Sequence, residues 1–233
     1  MLKNKELLIE IEKYINNPQF KDIYSSLLSG KKDKNIQLIK DNYDKEEIYD
    51  SWIYLIENYL SYIWCSKRYV EAIKTFLAED EIFTILDFGA GSGFSTALLK
   101  ECYPNATVYY YNISGYSKDY AMSFFKKYNY DIKVITELGN LRFDVIFISE
   151  VFEHIKTPIE VLKVLISNNN KYLIIANSFT VIAMGHFTKF IVDNVEVDHK
   201  KLGKLFNKTL TLMNYVKVDT NFWNDRPHIW RQK

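Results

Sequence analysis

The chain has 233 residues, of which 48% are hydrophobic and 25% charged, and this ordinary balance excludes a disordered or fibrous protein. Its 30 lysines and arginines against 29 acidic residues give a net charge of +1, which argues against a dedicated nucleic-acid-binding protein. The two cysteines, Cys65 and Cys102, cannot form a disulfide framework, and the N-terminus has no apolar signal core, so we expect a cytoplasmic protein that spans no membrane.

The first third of the chain is predicted to be helical. Apolar residues recur at helical spacing in 7–15 and 23–28, and a long aromatic helix is expected over 46–77 with a break near 62–67. Its aromatic rings line either an acceptor pocket or the packing between helices and a sheet. We therefore predict a helical cap comprising residues 1–80 and a second domain comprising 81–233.

Strands and helices are predicted to alternate after residue 80. Short apolar runs predict strands at 82–86, 107–111, 132–135, 143–148 and 172–176. Helices are expected at 94–101, 118–128 and 158–166, the last with Thr157 as its cap. The tail adds a helix at 200–213 and strands at 216–220 and 228–231. This order predicts an α/β fold, a doubly wound, mostly parallel sheet with an N-terminal helical appendage, which binds ligands at the carboxyl ends of its strands.

A glycine-rich loop follows the first predicted strand. Residues 85–93 read Ile-Leu-Asp-Phe-Gly-Ala-Gly-Ser-Gly, so a buried strand leads into three closely spaced glycines and then into a helix. A dinucleotide fingerprint would need a small residue where Phe94 stands and an acid about 20 residues further on, whereas Asn112 ends the second strand. A P-loop would need Gly-Lys-Ser/Thr, which this loop lacks. The loop therefore favours a different ligand, and Asp87 is its distinguishing feature.

Two motifs together resemble those of the class I S-adenosylmethionine-dependent methyltransferases. Residues 86–93 are similar to that family's first motif, and residues 143–154, which end in Ser-Glu-Val-Phe-Glu-His, are similar to its fourth-strand motif. The resemblance covers residues 82–176 and implies S-adenosylmethionine as the cofactor. It implies cofactor contacts from Asp87, Phe88, Gly89, Ala90, Gly91, Gly93, Asn112, Ile113, Ser149 and Glu150.

The resemblance also implies roles for members of this set, with Ser149 and Glu150 lining the methyl-donor end. Gly89 and Gly91 would approach the amino acid part of the cofactor, and Asp87 would orient its ammonium group. Asn112 and Ile113 would flank the ribose and adenine. The family usually has an acidic residue where Asn112 stands, and the single amide oxygen of asparagine predicts weaker cofactor binding.

A Glu-x-x-Glu-His sequence follows the fourth predicted strand. If that segment is helical, Glu150, Glu153 and His154 share one face, and His186 comes from the segment after the fifth strand. The pattern resembles the metal site of small-RNA 2′-O-methyltransferases and of quinone-pathway O-methyltransferases, which implies Mg²⁺ or Mn²⁺ on these four residues. Without a metal, His154 or His186 would be the general base, and all four remain the catalytic candidates.

The motifs favour methylation of an oxygen on a small molecule, such as a sugar, a sugar nucleotide or a secondary metabolite. An acidic and histidine cluster suits either deprotonation or chelation of a hydroxyl. RNA 2′-O-methylation and a non-catalytic binding protein stay open as alternatives, although the net charge of +1 argues against a nucleic-acid partner. We expect no membrane partner, and a homodimer is left open.

Overall fold

The computed structural model describes residues 58–59, 61–78, 82–113, 115–167, 170–181, 186–222 and 226–233. The helices predicted at 7–15 and 23–28, and the beginning of the one predicted at 46–77, lie outside the described residues. In the described part, the sheet and the helices after residue 82 occur where the sequence predicts them, within about two residues at their ends.

Nine strands occur in the described part of the chain. They are β1 (Thr84–Phe88), β2 (Thr107–Tyr111), β3 (Lys133–Ile135), β4 (Val145–Ser149), β5 (Tyr172–Ala176), β6 (Lys189–Val192), β7 (Val195–Asp198), β8 (Tyr215–Val218) and β9 (His228–Gln232). Seven of them form one sheet in the order β3-β2-β1-β4-β5-β9-β8. Strands β1 to β5 are parallel, whereas β9 pairs antiparallel with both β5 and β8. The carboxyl ends of β1, β2, β4 and β5 therefore meet at one edge, and the start of β9 joins them there.

The two faces of the central strands support two separate apolar cores. Alternate residues of β4 point to opposite faces, so Phe147 packs in one core and Ile148 in the other. The helices are α1 (Lys67–Ile73), α2 (Phe94–Cys102), α3 (Tyr116–Lys127), α4 (Pro158–Ile166) and α5 (His199–Leu212). Residues of α1, α2 and α3 fill the first core, and residues of α4 and α5 fill the second. The predicted doubly wound, mostly parallel sheet is confirmed.

Residues 189–198 form a β-hairpin that the sequence analysis missed. Strands β6 and β7 pair antiparallel around the left-handed residues Asp193 and Asn194. Phe190 and Val197 are buried against α4 and α5, so this hairpin completes the second core. Its alternation is only four residues long on each side of the turn, which is too short to stand out as a strand pattern.

The helix before the sheet changes its winding where a break is predicted. Residues Tyr62–Ser66 form a π-helical turn, and α1 continues directly from it. The rings of Tyr59 and Tyr62 pack against Phe94 with centroids 5.5 and 5.7 Å apart. These two rings are buried in the first core, in line with the packing alternative. The predicted boundary after residue 80 stays a prediction.

Two further features bear on the sequence analysis. Thr157 stands at the N-terminal boundary of α4, but its side chain makes no capping hydrogen bond, which corrects that expectation. Among the described residues, no helix combines the length and the apolar character that a bilayer crossing requires.

Candidate functional site

The loop between β1 and α2 turns sharply because its glycines have left-handed backbone angles. The φ values are +70° at Gly89, +51° at Gly91 and +79° at Gly93. The amides of Gly89 and Ala90 donate to the carbonyl of Tyr111 at 2.9 and 3.1 Å. The loop is thus fixed against the carboxyl end of β2.

The space over Gly91 is a small polar cradle. A Cβ atom on Gly91 would lie 1.6 Å from Oδ1 of Asn58, and this oxygen accepts a hydrogen bond from the Ser92 amide at 3.1 Å. The Tyr110 hydroxyl donates to the Gly91 carbonyl at 2.6 Å. The Ser92 hydroxyl is buried, and no described residue hydrogen-bonds to it. The Asn58 carboxamide therefore occupies the place that glycine leaves open to a ligand.

Asp87 is buried beneath the glycine loop, with 1% of its surface exposed. Its Oδ2 accepts hydrogen bonds of 2.7 Å from the hydroxyls of Ser95 and Thr96, in the first turn of α2. Burial raises the pKa of Asp87 to about 6, although the two hydroxyls act in the opposite direction. The carboxyl group joins β1 to α2, and its contact with a cofactor ammonium stays a prediction.

The residues that follow β2 lie beside the glycine loop and are partly accessible to solvent. Asn112 is half-buried and faces the Tyr110 hydroxyl, whose pKa is raised chiefly by burial and lowered in part by this amide. Ile113 is 57% exposed. Phe88 is buried and stacks on Tyr111 with ring centroids 5.1 Å apart, so its side chain supports the loop from below the surface. We call Asp87, residues 89–93 and residues 110–113 the glycine edge.

The segment after β4 is not the helix that the Glu-x-x-Glu-His prediction assumed. Glu150 has a left-handed backbone with φ of +53°, and its amide donates to the Ala176 carbonyl at 2.7 Å. Only Phe152–His154 form a short 3₁₀ turn. The prediction that Glu150, Glu153 and His154 share one face of a helix is therefore wrong. The backbone of Glu150 still pairs with β5, and the chain turns only after it. A non-glycine residue held at positive φ is a strained position of the kind that clusters at functional sites.

Glu153 is fully buried, at 0% exposure, between the ends of β4 and β5. Its Oε1 accepts a hydrogen bond from the Ser178 amide at 2.8 Å. Burial raises the pKa of Glu153 well above its ordinary value, and the neighbouring Glu150 carboxylate raises it further. Glu153 therefore keeps a proton more readily than an ordinary glutamate and braces the loop after β5.

His154 and His186 lie together although 32 residues separate them in the sequence, and their ring centroids are 4.6 Å apart at right angles. The Nδ1 of His186 lies 2.9 Å from the Val181 carbonyl. Because a carbonyl only accepts, Nδ1 carries the proton, and Nε2 of the neutral ring keeps its lone pair. Burial lowers the pKa of His186 below 6.5, against the opposing effects of Val181 and Glu150.

The predicted four-residue metal site can be compared with this geometry. The side chains of Glu150 and Glu153 interact, and so do those of His154 and His186. Among the described residues, however, no three His, Cys, Asp or Glu side chains are arranged to hold a metal ion. The two pairs are brought to the same edge of the sheet without converging on one point.

Several residues of this region carry no motif that sequence reasoning could use. Ser66 hydrogen-bonds to the Ser149 hydroxyl at 2.9 Å, and the Tyr69 hydroxyl donates to Glu150 Oε1 at 3.2 Å. Arg226 donates from Nη1 to the Ser178 hydroxyl at 2.8 Å. We refer to the polar side chains of this region together as the polar cluster, which comprises Ser66, Tyr69, Ser149, Glu150, Glu153, His154, Ser178, His186 and Arg226.

Comparison with known proteins adds a family to this geometry. The profile of a family described as a methyltransferase domain matches residues 56–176, slightly more than half of the chain. Among proteins with curated descriptions, none matches significantly.

Solved structures share the fold at low sequence identity. A chain in the complex of the Haloferax volcanii Trm112 methyltransferase activator with a protein assigned as a methyltransferase has a TM-score of 0.51 and 12% identity, over 73% of this chain and 77% of that one. EvdMO1 has a TM-score of 0.50 and 14% identity, over 72% of this chain but only 40% of EvdMO1. A SAM-dependent methyltransferase from Aquifex aeolicus has a TM-score of 0.47 and 16% identity, over 83% of this chain and 94% of that one. At these identities the likeness concerns the fold alone.

Proposed function

This chain belongs to the class I S-adenosylmethionine-dependent methyltransferase family, and we propose that it methylates a hydroxyl oxygen of a small molecule. One observation supports the proposal most. The glycine edge and the polar cluster occupy the carboxyl ends of neighbouring strands, β1 and β4, which pair in parallel. Ligands of doubly wound sheets bind at this edge.

The residues of the glycine edge fit the cofactor of the family. The cradle over Gly91 exists only because that residue has no Cβ, and the Asn58 carboxamide occupies it while accepting the Ser92 amide. The buried Ser92 hydroxyl has no described partner. Asn112 and the exposed Ile113 border it on the side of β2. When bound, the cofactor supplies a methyl group on a sulfonium. The chain's own contribution is to hold its ligands in line and to exclude water.

The polar cluster supplies a group that can accept the proton of an acceptor hydroxyl. With its Nδ1 bonded to Val181 and its pKa lowered, His186 is a neutral imidazole with a basic Nε2 near neutral pH. His154 packs edge-on against this ring and orients it. Glu150 approaches the same region from the end of β4, where Tyr69 holds one of its oxygens.

The test uses S-adenosylmethionine labelled with ¹³C in the transferred methyl group and a protein-free metabolite extract as the source of acceptors. We expect labelled small molecules whose carbon chemical shift is that of a methoxy group, with and without EDTA. Label on nitrogen or sulfur, or only in added RNA, would contradict the proposal. Once a product is identified, kcat/KM should rise with pH through a value below 6.5, because His186 must lose its proton, and His186→Gln should lose that limb.

A non-catalytic binding protein remains the second candidate, and the position of Asn58 favours it. Its carboxamide already accepts the Ser92 amide and covers Gly91, as a ligand would. Calorimetric titration with S-adenosylhomocysteine separates the two candidates. Binding that becomes tighter in Asn58→Ala supports a cofactor site from which Asn58 must withdraw, whereas no binding to either form supports the non-catalytic protein.

A further inference from the structure

Arg226 stands at the carboxyl edge of the sheet, in the segment just before the last strand, β9. Strand β9 runs antiparallel to β5, with His228 opposite Ile175. The residues just before β9 therefore lie beside those just after β5, and Arg226 donates to the Ser178 hydroxyl at 2.8 Å. This brings a guanidinium into the polar cluster from a segment that carries no motif.

The described partners of Arg226 are uncharged. Besides Ser178, the guanidinium faces the hydroxyl of Tyr69, and it makes no ion pair with any described carboxylate. A guanidinium has five N–H donors, and these contacts leave several of them open. The side chain is half-buried, and a guanidinium in that position gains from direct contact with an anion.

The Tyr69 hydroxyl contacts both Arg226 and Glu150, and these two charged groups form no direct ion pair. The hydroxyl donates to Glu150 Oε1 at 3.2 Å, and Arg226 donates to the same hydroxyl. Burial, with Glu150 next, raises the pKa of Tyr69 far above its ordinary value, so the hydroxyl stays protonated and remains a donor to Glu150. Ser178 and Tyr69 are themselves 7% and 5% exposed, so both are fixed by packing.

We propose that Arg226 binds an oxyanion group, a carboxylate or a phosphate, on the methyl acceptor. This inference rests on the proposed function, because it makes the acceptor a hydroxylated acid or phosphate ester whose anionic end is held at Arg226. Arginine suits the task since its planar fork binds two oxygens of such a group at once. Arg226 would thus determine specificity, and His186 would face the hydroxyl end.

Matched pairs of probes that differ in one anionic group test this assignment. The pairs are catechol with 3,4-dihydroxybenzoate, and glucose with glucose 6-phosphate, titrated by calorimetry and by ligand-observed NMR. We expect the anionic member of one pair to bind about 10-fold or more tightly than its neutral partner, as charged hydrogen bonds allow. The pair that responds distinguishes a carboxylate from a phosphate.

Variants assign the preference to Arg226. Arg226→Gln should abolish the anion preference and Arg226→Lys should keep part of it. Arg231→Gln, at an exposed arginine of β9, should leave the preference unchanged. Thermal unfolding confirms that each variant is folded. Equal binding of both members in both pairs, or a preference that survives Arg226→Gln, would overturn the inference.

A separate titration with S-adenosylhomocysteine distinguishes this failure from failure of the proposed function. If the demethylated cofactor binds while no anion preference is seen, the inference alone is wrong. If the anion preference depends on Arg226 while the cofactor does not bind, the anion site stands and the proposed function is wrong.

Discussion

The glycine edge and the polar cluster differ in what builds them. The glycine edge comes from two consecutive strands and consists largely of backbone, with three left-handed glycines and amides donated to Tyr111. The polar cluster consists of side chains from the N-terminal helix, the end of β4 and the segment after it, the segment after β5, and the segment just before β9. A backbone site tolerates no added atom, whereas a side-chain site can be retuned by exchanging one residue. The first suits a constant ligand and the second a variable one.

A side chain at Gly91 should break the glycine edge while leaving the polar cluster intact. In Gly91→Val, a β-branched residue must adopt φ of +51° and occupy the cradle, so affinity for S-adenosylhomocysteine should fall about 100-fold or more. Gly139→Val is the matched control, because Gly139 has φ of +49° but nothing within 4 Å of its added Cβ. Calorimetry should show near-normal cofactor binding in the control. Equal losses in the two variants would mean that backbone strain, and not the cradle, governs binding.

Acid should weaken the glycine edge through Asp87. The raised pKa of about 6 means that the carboxyl group is protonated below that pH and cannot attract an ammonium group. If Asp87 orients the cofactor, affinity for S-adenosylhomocysteine should rise about 10-fold from pH 5 to pH 7 and then level off. Titrations across this range should lose the dependence in Asp87→Asn. A flat profile in the unaltered protein would restrict Asp87 to joining β1 and α2.

Asn112→Asp should have the smallest effect of the three, a change in cofactor affinity at the glycine edge alone. A carboxylate can accept from both ribose hydroxyls, so cofactor affinity should stay equal or improve by about 1 kcal/mol, roughly fivefold. Anion preference at the polar cluster should not change. A large loss of cofactor affinity would show that the Asn112 amide is needed beside the Tyr110 hydroxyl.

The same contrast explains how much of the molecule the sequence predicts. The apolar runs of β2 and β5 predict these strands at their observed bounds. The proline in the first turn of α4 helps to predict the start of that helix. The glycine loop is also local in sequence. Its positive φ values strongly favour glycine, and the motif therefore carries the conformation with it.

The polar cluster could not be predicted as well because its residues meet only in the folded chain. Arg226 and Tyr69 carry no local pattern, and pairing of β9 with β5 brings the first of them to the site. The helical spacing of Glu150 and Glu153 misled because the backbone of Glu150 follows β5 instead of a helix. His186 was predicted only through a resemblance, and its ring contact with His154 is seen only in the structure.

A crystal structure of the protein with S-adenosylhomocysteine tests the central claim most directly, that the cofactor binds at the glycine edge and the acceptor at the polar cluster. The account predicts density for the amino acid part of the ligand against Gly89 and Gly91, with Asn58 displaced from the Ser92 amide and the sulfur directed towards Glu150. Density elsewhere on the protein, or an unchanged Asn58 with no ligand at saturating concentration, would contradict it.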